Sequence, residues 1–122
     1  MDSPLMHDGS STVANSDLSA KQYYAAQSVA GVSFTSDLAS AATAIAGIIQ
    51  NTPKQGEAVD LGIVGVSPAQ IGTGGVTAGD QLQVEAASGK LVTKTSGVQV
   101  AVAVETAAAG AIGTVRLTGP AG

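Results

Sequence analysis

Short apolar stretches of about five residues recur along the chain, separated by Gly, Asn, Pro or Ser. This pattern is typical of β-strands joined by tight turns. It predicts eight strands in four hairpins: 21–27 with 32–34, 44–50 with 57–65, 80–86 with 90–94, and 98–104 with 114–118. Regularly spaced short strands of this kind indicate an all-β fold, either a small barrel or a sandwich.

Two of these hairpins repeat one another in sequence. The stretch "AGIIQNTPKQGEAVDLGIVG" (46–65) aligns without a gap with "VAVAVETAAAGAIGTVRLTG" (100–119). Each copy consists of an apolar run, a turn, a second apolar run and a glycine. The aligned pairs include Ile48 with Val102, Thr52 with Thr106, Gly56 with Gly110, Leu61 with Val115, and Gly65 with Gly119. The repetition predicts a fold built from two related half-repeats.

The alternation within two strands predicts which faces are buried. Residues 98–104 alternate Val with Ala or Gln, which suits a sheet with the core on one face. The other, Ala-rich face is expected to contact another subunit or a close-packed layer. In 57–65 the alternation is imperfect, so this strand is expected to be buried on much of both faces.

One segment also fits a helix. In "SDLASAATAIAGII" (36–49) the apolar residues recur at helical spacing behind a possible Ser36 or Asp37 cap, so a short helix over 37–43 is an alternative. A loop followed by a strand is favoured, because the second copy has β-branched residues at alternate positions.

The N-terminus differs in character from the rest of the chain. Residues 1–20 are polar, rich in Ser and Asp, and lack any sustained hydrophobic period. They are predicted to form a flexible arm, and residues 21–122 a single β domain. The arm is either an uninvolved terminus or a segment that orders on a partner by adding a strand, with Leu5 and Met6 as anchors.

Composition points to partners. Aromatic residues make up only 2% of the chain, so the core must be built from Ala, Val, Ile and Leu. Charged residues make up 11%, against about 25% in ordinary soluble domains. We therefore expect a surface rich in neutral polar residues and partly covered by other subunits. The net charge of −4 gives no positive surface for nucleic acid or for an anionic membrane.

The chain offers little for catalysis. It has no cysteine, and its single histidine, His7, lies in the predicted arm, whereas a catalytic site needs rigidly held groups. "GTGG" (72–75) and "SGK" (88–90) lack the remainder of a phosphate-loop pattern and are interpreted as turns. No catalytic, cofactor or metal site is predicted. No apolar run is long enough to span a membrane, and no signal-peptide pattern is present, which predicts a soluble protein.

Four phrases, taken in order, carry a family resemblance. They are the segment "IAGIIQNTPKQGEAVDLGIVGVS", the turn "VTAGD", the hairpin "SGKLV" and the closing "VAVETAAAGAIGTVRL". In this order and spacing, over about residues 20–117, the chain resembles the tailed-phage capsid decoration proteins, also called cement or head-stabilising proteins. The first twenty residues have no counterpart in that pattern.

The resemblance implies a β-barrel or tulip-like β-sandwich and a structural, non-enzymatic function. It implies an oligomer, commonly a trimer, that binds the major capsid protein on the exterior of the virion head. It implies neither a cofactor nor a small-molecule substrate. The alternative function is a non-viral β-sandwich that binds or carries a small ligand; for a carrier, the lysines of "TPKQG" and "SGKLV" lack the expected flanking residues.

Few residues qualify as interface anchors. Tyr23, Tyr24 and Phe34 are the only aromatic residues, and aromatic side chains are enriched in interfaces. Adjacent tyrosines on a strand point to opposite faces, so one can fill the core while the other meets a partner. Arg116 could bridge subunits through paired hydrogen bonds. The alternatives are a core role for Phe34 and one tyrosine, and a solvated position for Arg116.

Overall fold

The computed structural model describes residues 9–29, 31, 35–43 and 45–118. This part of the chain contains ten β-strands and no helix. The strands are β1 (Gly9–Ala14), β2 (Ala25–Ser28), β3 (Thr35–Leu38), β4 (Gly47–Ile49), β5 (Ala58–Gly62), β6 (Val64–Gln70), β7 (Gln81–Val84), β8 (Leu91–Thr93), β9 (Ala101–Ala103) and β10 (Ile112–Thr118). The prediction of an all-β fold is confirmed, and residues 37–43 form a strand end and a loop.

The first five strands form the N-terminal barrel. It is closed in the order β1-β3-β2-β4-β5, with β1 parallel to β3 and every other pair antiparallel. On β5, Val59 and Leu61 are buried in the barrel, while Ala58 and Asp60 are exposed. The expectation that 57–65 is buried on both faces is therefore wrong. The last residues of 57–65 belong to β6, where Val64 is exposed.

The last five strands form the C-terminal sheet, in the order β6-β10-β9-β7-β8 with antiparallel neighbours. Its two edge strands meet at one end. There a parallel bridge joins Ile71, directly after β6, to Leu91, and the Gly72 N–H donates to the Leu91 carbonyl at 2.8 Å. The sheet therefore curls until its edges touch.

The two halves share one topology. Strands β1 to β5 have the same neighbours, in the same directions, as β6 to β10. In the first hairpin, β4 and β5 pair Ile48 with Gly62. In the second, β9 and β10 pair Val102 with Arg116, which is the register that the sequence alignment requires. The predicted half-repeats are thus present in the fold.

Backbone details repeat as well. Gly56 and Gly110, the aligned turn glycines, have φ angles of 85° and 82°. Ahead of β2, Tyr23 has a φ of 71° and donates its N–H to the Ile49 carbonyl at 2.6 Å. Ahead of β7, Gly79 has a φ of 92° and donates to the Ala103 carbonyl at 2.8 Å. A left-handed conformation is strained for tyrosine, so the barrel geometry imposes it.

Two hydrophobic clusters form the core. One fills the N-terminal barrel and is made of residues from β1, β2, β4, β5 and the loop that follows β1: Ala14, Leu18, Ala26, Ile49, Val59 and Leu61. The other fills the C-terminal sheet and extends to the outer face of the N-terminal barrel through Ala25 and Ile48. The halves are therefore packed together through a shared core.

The predicted flexible arm of residues 1–20 is wrong for its second part. Strand β1 pairs with both β3 and β5 and so closes the barrel, and Leu18 is 2% exposed. The hydrophobic pattern missed β1 because one of its inward positions is polar. Thr12 donates its hydroxyl to that of the fully buried Ser36 at 2.7 Å. Residues 1–8 lie outside the described residues.

Strand β6 was also absent from the prediction. Its inward residues are small, Ser67 and Ala69, while Val64 and Val66 point outward, which inverts the usual pattern. It also contains Pro68, a residue that favours a break in a strand. Residues 32–34, the predicted second strand of the first hairpin, lie outside the described residues; the strand that pairs with β2 is β3, which begins at Thr35.

Candidate partner-binding surface

The outer face of β6, β10 and β9 is an exposed, largely apolar surface, termed here the outer face. Its residues lie on the side of the C-terminal sheet away from the core. They are Val64, Val66, Pro68, Val102, Val104, Ile112, Thr114, Arg116 and Thr118. Val66 is 66% exposed, Ile112 55% and Val104 51%. Contiguous exposed apolar residues of this kind mark interaction surfaces.

Small inward residues explain why valines lie outside. On β9, Ala101 and Ala103 are buried in the core, while Val102 is half-buried on the outer face and Val104 follows it there. The expectation of an Ala-rich contact face is therefore wrong, because the alanines face the core and the valines face outward. Ala101 and Ala103 are 0% and 2% exposed, so small side chains line the core at this strand.

Arg116 lies near the middle of the outer face. In register it is flanked by Val66 on β6 and Val102 on β9. The guanidinium is exposed, and within the described residues it makes no hydrogen bond or ion pair. A bare guanidinium among aliphatic side chains suits a partner carboxylate, since arginine forms paired hydrogen bonds with that group.

One acidic residue borders the outer face. Glu105 accepts hydrogen bonds from the Thr114 N–H and from the Thr114 hydroxyl, both at 3.0 Å. These bonds hold the carboxylate against β10 and fix the start of the connection between β9 and β10 to that strand. The outer face therefore combines aliphatic side chains with one free cation and one bound anion.

The tyrosines do not lie on a strand as predicted. Both precede β2, and both are partly buried: Tyr23 packs against the shared core and Tyr24 against the core of the N-terminal barrel. The Lys21 ammonium lies 4.8 Å from the centre of the Tyr24 ring, a cation–π contact. Core packing thus engages both residues, and their part in an interface stays a prediction.

The other predicted anchors, Leu5 and Met6, lie outside the described residues, as does His7. Sequence reasoning found Arg116 but missed the exposed valines around it. The signal was present, since valines alternate with small residues at 64–67 and 101–104. Because apolar residues usually face inward, the pattern alone predicts that such valines lie in the core.

The two glycine-containing motifs occupy turns. The segment 72–75 lies between β6 and β7, and 88–90 lies between β7 and β8. Hydrogen bonding by Thr73 and Ser88 outweighs partial burial and lowers the pKa of Glu85, which keeps this carboxyl ionised. The Glu85 carboxylate thus takes up the Thr73 N–H and the Ser88 hydroxyl, which are the donors that a bound anion would need.

Two further searches cover the described residues only. They contain no group of three or more His, Cys, Asp or Glu side chains placed to hold a metal ion. None of the structure described is a helix with the length and apolar character needed to cross a membrane.

The fold and this surface define a duplicated all-β protein with a closed five-stranded barrel, a curled five-stranded sheet and an exposed apolar face. No protein-family model matches the chain, and no curated protein matches it in sequence. Among solved structures, the chain is similar to the N base of head fiber gp8.5 in bacteriophage phi29. The TM-score is 0.71 with 18% identity, over 90% of this chain and 92% of that one. The likeness is one of fold.

Proposed function

We propose that this protein is a structural, non-enzymatic component of a bacteriophage head. In this proposal it binds the major capsid protein on the exterior of the assembled icosahedral capsid and stabilises the shell. It acts as an oligomer, with a trimer as the expected state. This is the function of a decoration or cement protein.

The fold likeness to the base of a phage head fiber carries the proposal, since it extends over nearly the whole of both chains. The ordered phrases from "IAGIIQ" to the closing "VAVETAAAG" give independent support, because they resemble decoration proteins in sequence rather than in backbone shape. Both lines lead to proteins of the phage head.

The outer face supplies suitable chemistry for the subunit contacts of the proposed oligomer. Interfaces are enriched in apolar side chains and arginine and are depleted in other charges, as this face is around Arg116. Binding of many copies to a symmetric shell adds modest individual contacts together. A protein that binds only the assembled shell stabilises that state through the difference in affinity.

Sedimentation with phage heads tests the proposal. Purified protein is mixed with assembled heads that lack it, the heads are pelleted, and bound protein is titrated to saturation. We expect saturable binding to assembled heads and none to unassembled major capsid protein, which serves as the control partner. Heads carrying the protein should also retain their DNA to a higher temperature.

Two results would contradict the proposal. One is no binding to assembled heads at tens of micromolar protein, a concentration at which even weak specific contacts are occupied. The other is equal binding to assembled heads and to free capsid subunits, because a protein with equal affinity for both cannot stabilise the shell.

A further inference from the structure

The duplication identifies equivalent positions on the outer surfaces of the two halves. In the N-terminal barrel, Ala25, Ile48 and Gly62 lie side by side in one row across β2, β4 and β5. In the C-terminal sheet, the same row across β7, β9 and β10 is Gln81, Val102 and Arg116. These are termed here the first row and the second row.

The first row is covered within the chain. Ala25 and Ile48 are both 0% exposed, although they point away from the interior of their own barrel, because the C-terminal sheet packs on them. The Ala25 N–H donates to the Gly89 carbonyl at 2.8 Å. Beside Ile48, the Gln50 side-chain amide donates to the Ser67 hydroxyl at 2.9 Å.

The second row is left uncovered by the described residues. Gln81 and Arg116 are exposed, and Val102 is only half-buried. Val104, which takes the place of Gln50, is 51% exposed. The same kind of surface is therefore a packed contact in one half and bare in the other.

The C-terminal sheet covers the first row with one of its surfaces, and the equivalent surface of the N-terminal barrel is exposed. The C-terminal sheet meets the first half partly through Gln70 of β6, whose N–H donates to the Tyr23 carbonyl at 2.9 Å. The equivalent residue on β1 is Val13, because Val13 pairs with Ala58 as Gln70 pairs with Ile112. Val13 is 43% exposed. One chain thus has two separate exposed surfaces. One is the second row, and the other is the surface of the N-terminal barrel around Val13, termed here the Val13 side.

Charge favours contact between these unlike surfaces. A symmetric contact centred on Arg116 would bring two guanidinium groups together. The N-terminal barrel, in contrast, carries more acidic than basic residues: Asp17, Asp37, Glu57 and Asp60 against Lys21 and Lys54. An exposed arginine therefore finds opposite charge in a head-to-tail arrangement, which is a heterologous contact.

We propose that the second row binds the Val13 side of the N-terminal barrel of a second copy of this chain. The contact repeats, between chains, the packing that joins the two halves within one chain. It has an unlike surface on each side, so successive copies associate head to tail, and a ring such as a trimer closes the series. This inference deepens the oligomer of the proposed function and rests on that part of it.

Light scattering across a dilution series tests the contact with full-length protein. The variants are Val102→Asp and Arg116→Glu on the second row, and Val13→Asp on the opposite surface. Thr52→Asp, in the exposed β4–β5 turn, is the matched control for an added charge. We expect the wild type and the control to form an oligomer. Each of the three variants should dissociate at concentrations at least about thirtyfold higher.

Mixing variants distinguishes a head-to-tail contact from a symmetric one. Val102→Asp retains the Val13 surface, and Val13→Asp retains the second row. An equimolar mixture should therefore form a heterodimer through one intact contact, while each variant alone stays monomeric. Circular dichroism of each variant verifies folding, and Arg116→Glu is the safest variant in this respect because its side chain is exposed.

The outcomes separate this inference from the proposed function. An oligomer that survives Val102→Asp and Arg116→Glu overturns the contact, and so does a wild-type protein that stays monomeric at every concentration. Neither result bears on whether the protein binds heads, which the sedimentation experiment measures on its own. Loss of head binding with an intact oligomer would overturn the proposed function and leave this contact standing.

Discussion

Single residues show most directly that the two halves are copies. Gly56 and Gly110 occupy the same left-handed position in equivalent turns, and among the described residues, beyond the two chain neighbours, no heavy atom lies within 4 Å of a Cβ built on either. Both glycines are therefore required by backbone conformation and not by space. Gly47 presents the opposite case, since a Cβ there would lie 2.7 Å from the Gly62 carbonyl oxygen.

Equal changes at the two turn glycines should have equal effects. We expect Gly56→Ala and Gly110→Ala each to lower the free energy of unfolding by about 1 kcal/mol, the strain of a left-handed alanine. Gly47→Ala should lower it by more, about 2 kcal/mol or above, because of the steric overlap. Urea unfolding of the three variants measures this. A clear inequality between Gly56→Ala and Gly110→Ala would count against equivalent turns.

A second residue effect concerns pH. Partial burial opposes ionisation of Asp37, but hydrogen bonds from Asn15, Ser16 and the Leu38 N–H outweigh it and lower its pKa below the usual 3.8. A carboxyl with a lowered pKa in the folded state stabilises the protein above about pH 4. That stabilisation is lost as the pH falls through the folded-state pKa.

The pH dependence should therefore shrink when Asp37 is replaced. We expect the wild type to lose stability as the pH falls below about 4, and Asp37→Asn to lose less over the same range. Thermal unfolding at several pH values measures both. Glu85→Gln should act in the same direction, since the pKa of Glu85 is also lowered. Parallel curves for wild type and Asp37→Asn would show that the pKa of this carboxyl is not lowered by folding.

At the level of elements, β1 decides whether the N-terminal barrel exists as a barrel. It lies between β3 and β5, so it supplies two of the five strand pairings that close the ring. It also brings Thr12 to Ser36, which satisfies a fully buried hydroxyl. Without β1, two strand edges and one interior hydroxyl lose their partners, each of which destabilises a fold.

Truncation tests the role of β1. A chain that begins at Ala20 lacks β1 and Leu18, and we expect a large loss of thermal stability, because barrel closure and part of the core are removed together. Ser36→Ala is the milder companion and should cost about 1 to 2 kcal/mol, since it leaves the Thr12 hydroxyl without its partner. A truncated chain that unfolds at the wild-type temperature would restore the interpretation of a dispensable arm.

For the whole molecule, the boundary between the halves depends on close packing. A Cβ on Gly97 would lie 2.5 Å from the Ala42 Cβ of the N-terminal half, and the Gly97 N–H also donates to the Gln83 side chain at 2.7 Å. A larger side chain at this position must move the halves apart. The shared core that includes Ala25 and Ile48 would then be opened to water.

Gly97→Val measures this coupling. We expect a loss of about 2 kcal/mol or more and, because the halves share one core, a broader unfolding transition. Ser96→Val adds the same side chain at the exposed neighbouring position and should have little effect. Calorimetry of both variants gives the comparison. Similar traces for the two would mean that the halves are not in close contact at Gly97.

The sequence by itself determined the local features of this protein. Alternation and turn residues predicted the β4–β5, β7–β8 and β9–β10 hairpins, and the repeat of 46–65 in 100–119 predicted two related halves, because neighbouring strands and tight turns depend on residues close in the chain. Only the tertiary structure decided the features that depend on distant contacts. Barrel closure recruited β1 despite its polar residues, and the register of β9 in the sheet placed Ala101 and Ala103 inward and Val102 outward. Whether a face is buried depends on what packs against it. Ile48 and Val102 are equivalent residues, but the other half of the chain covers Ile48 and leaves Val102 half-buried.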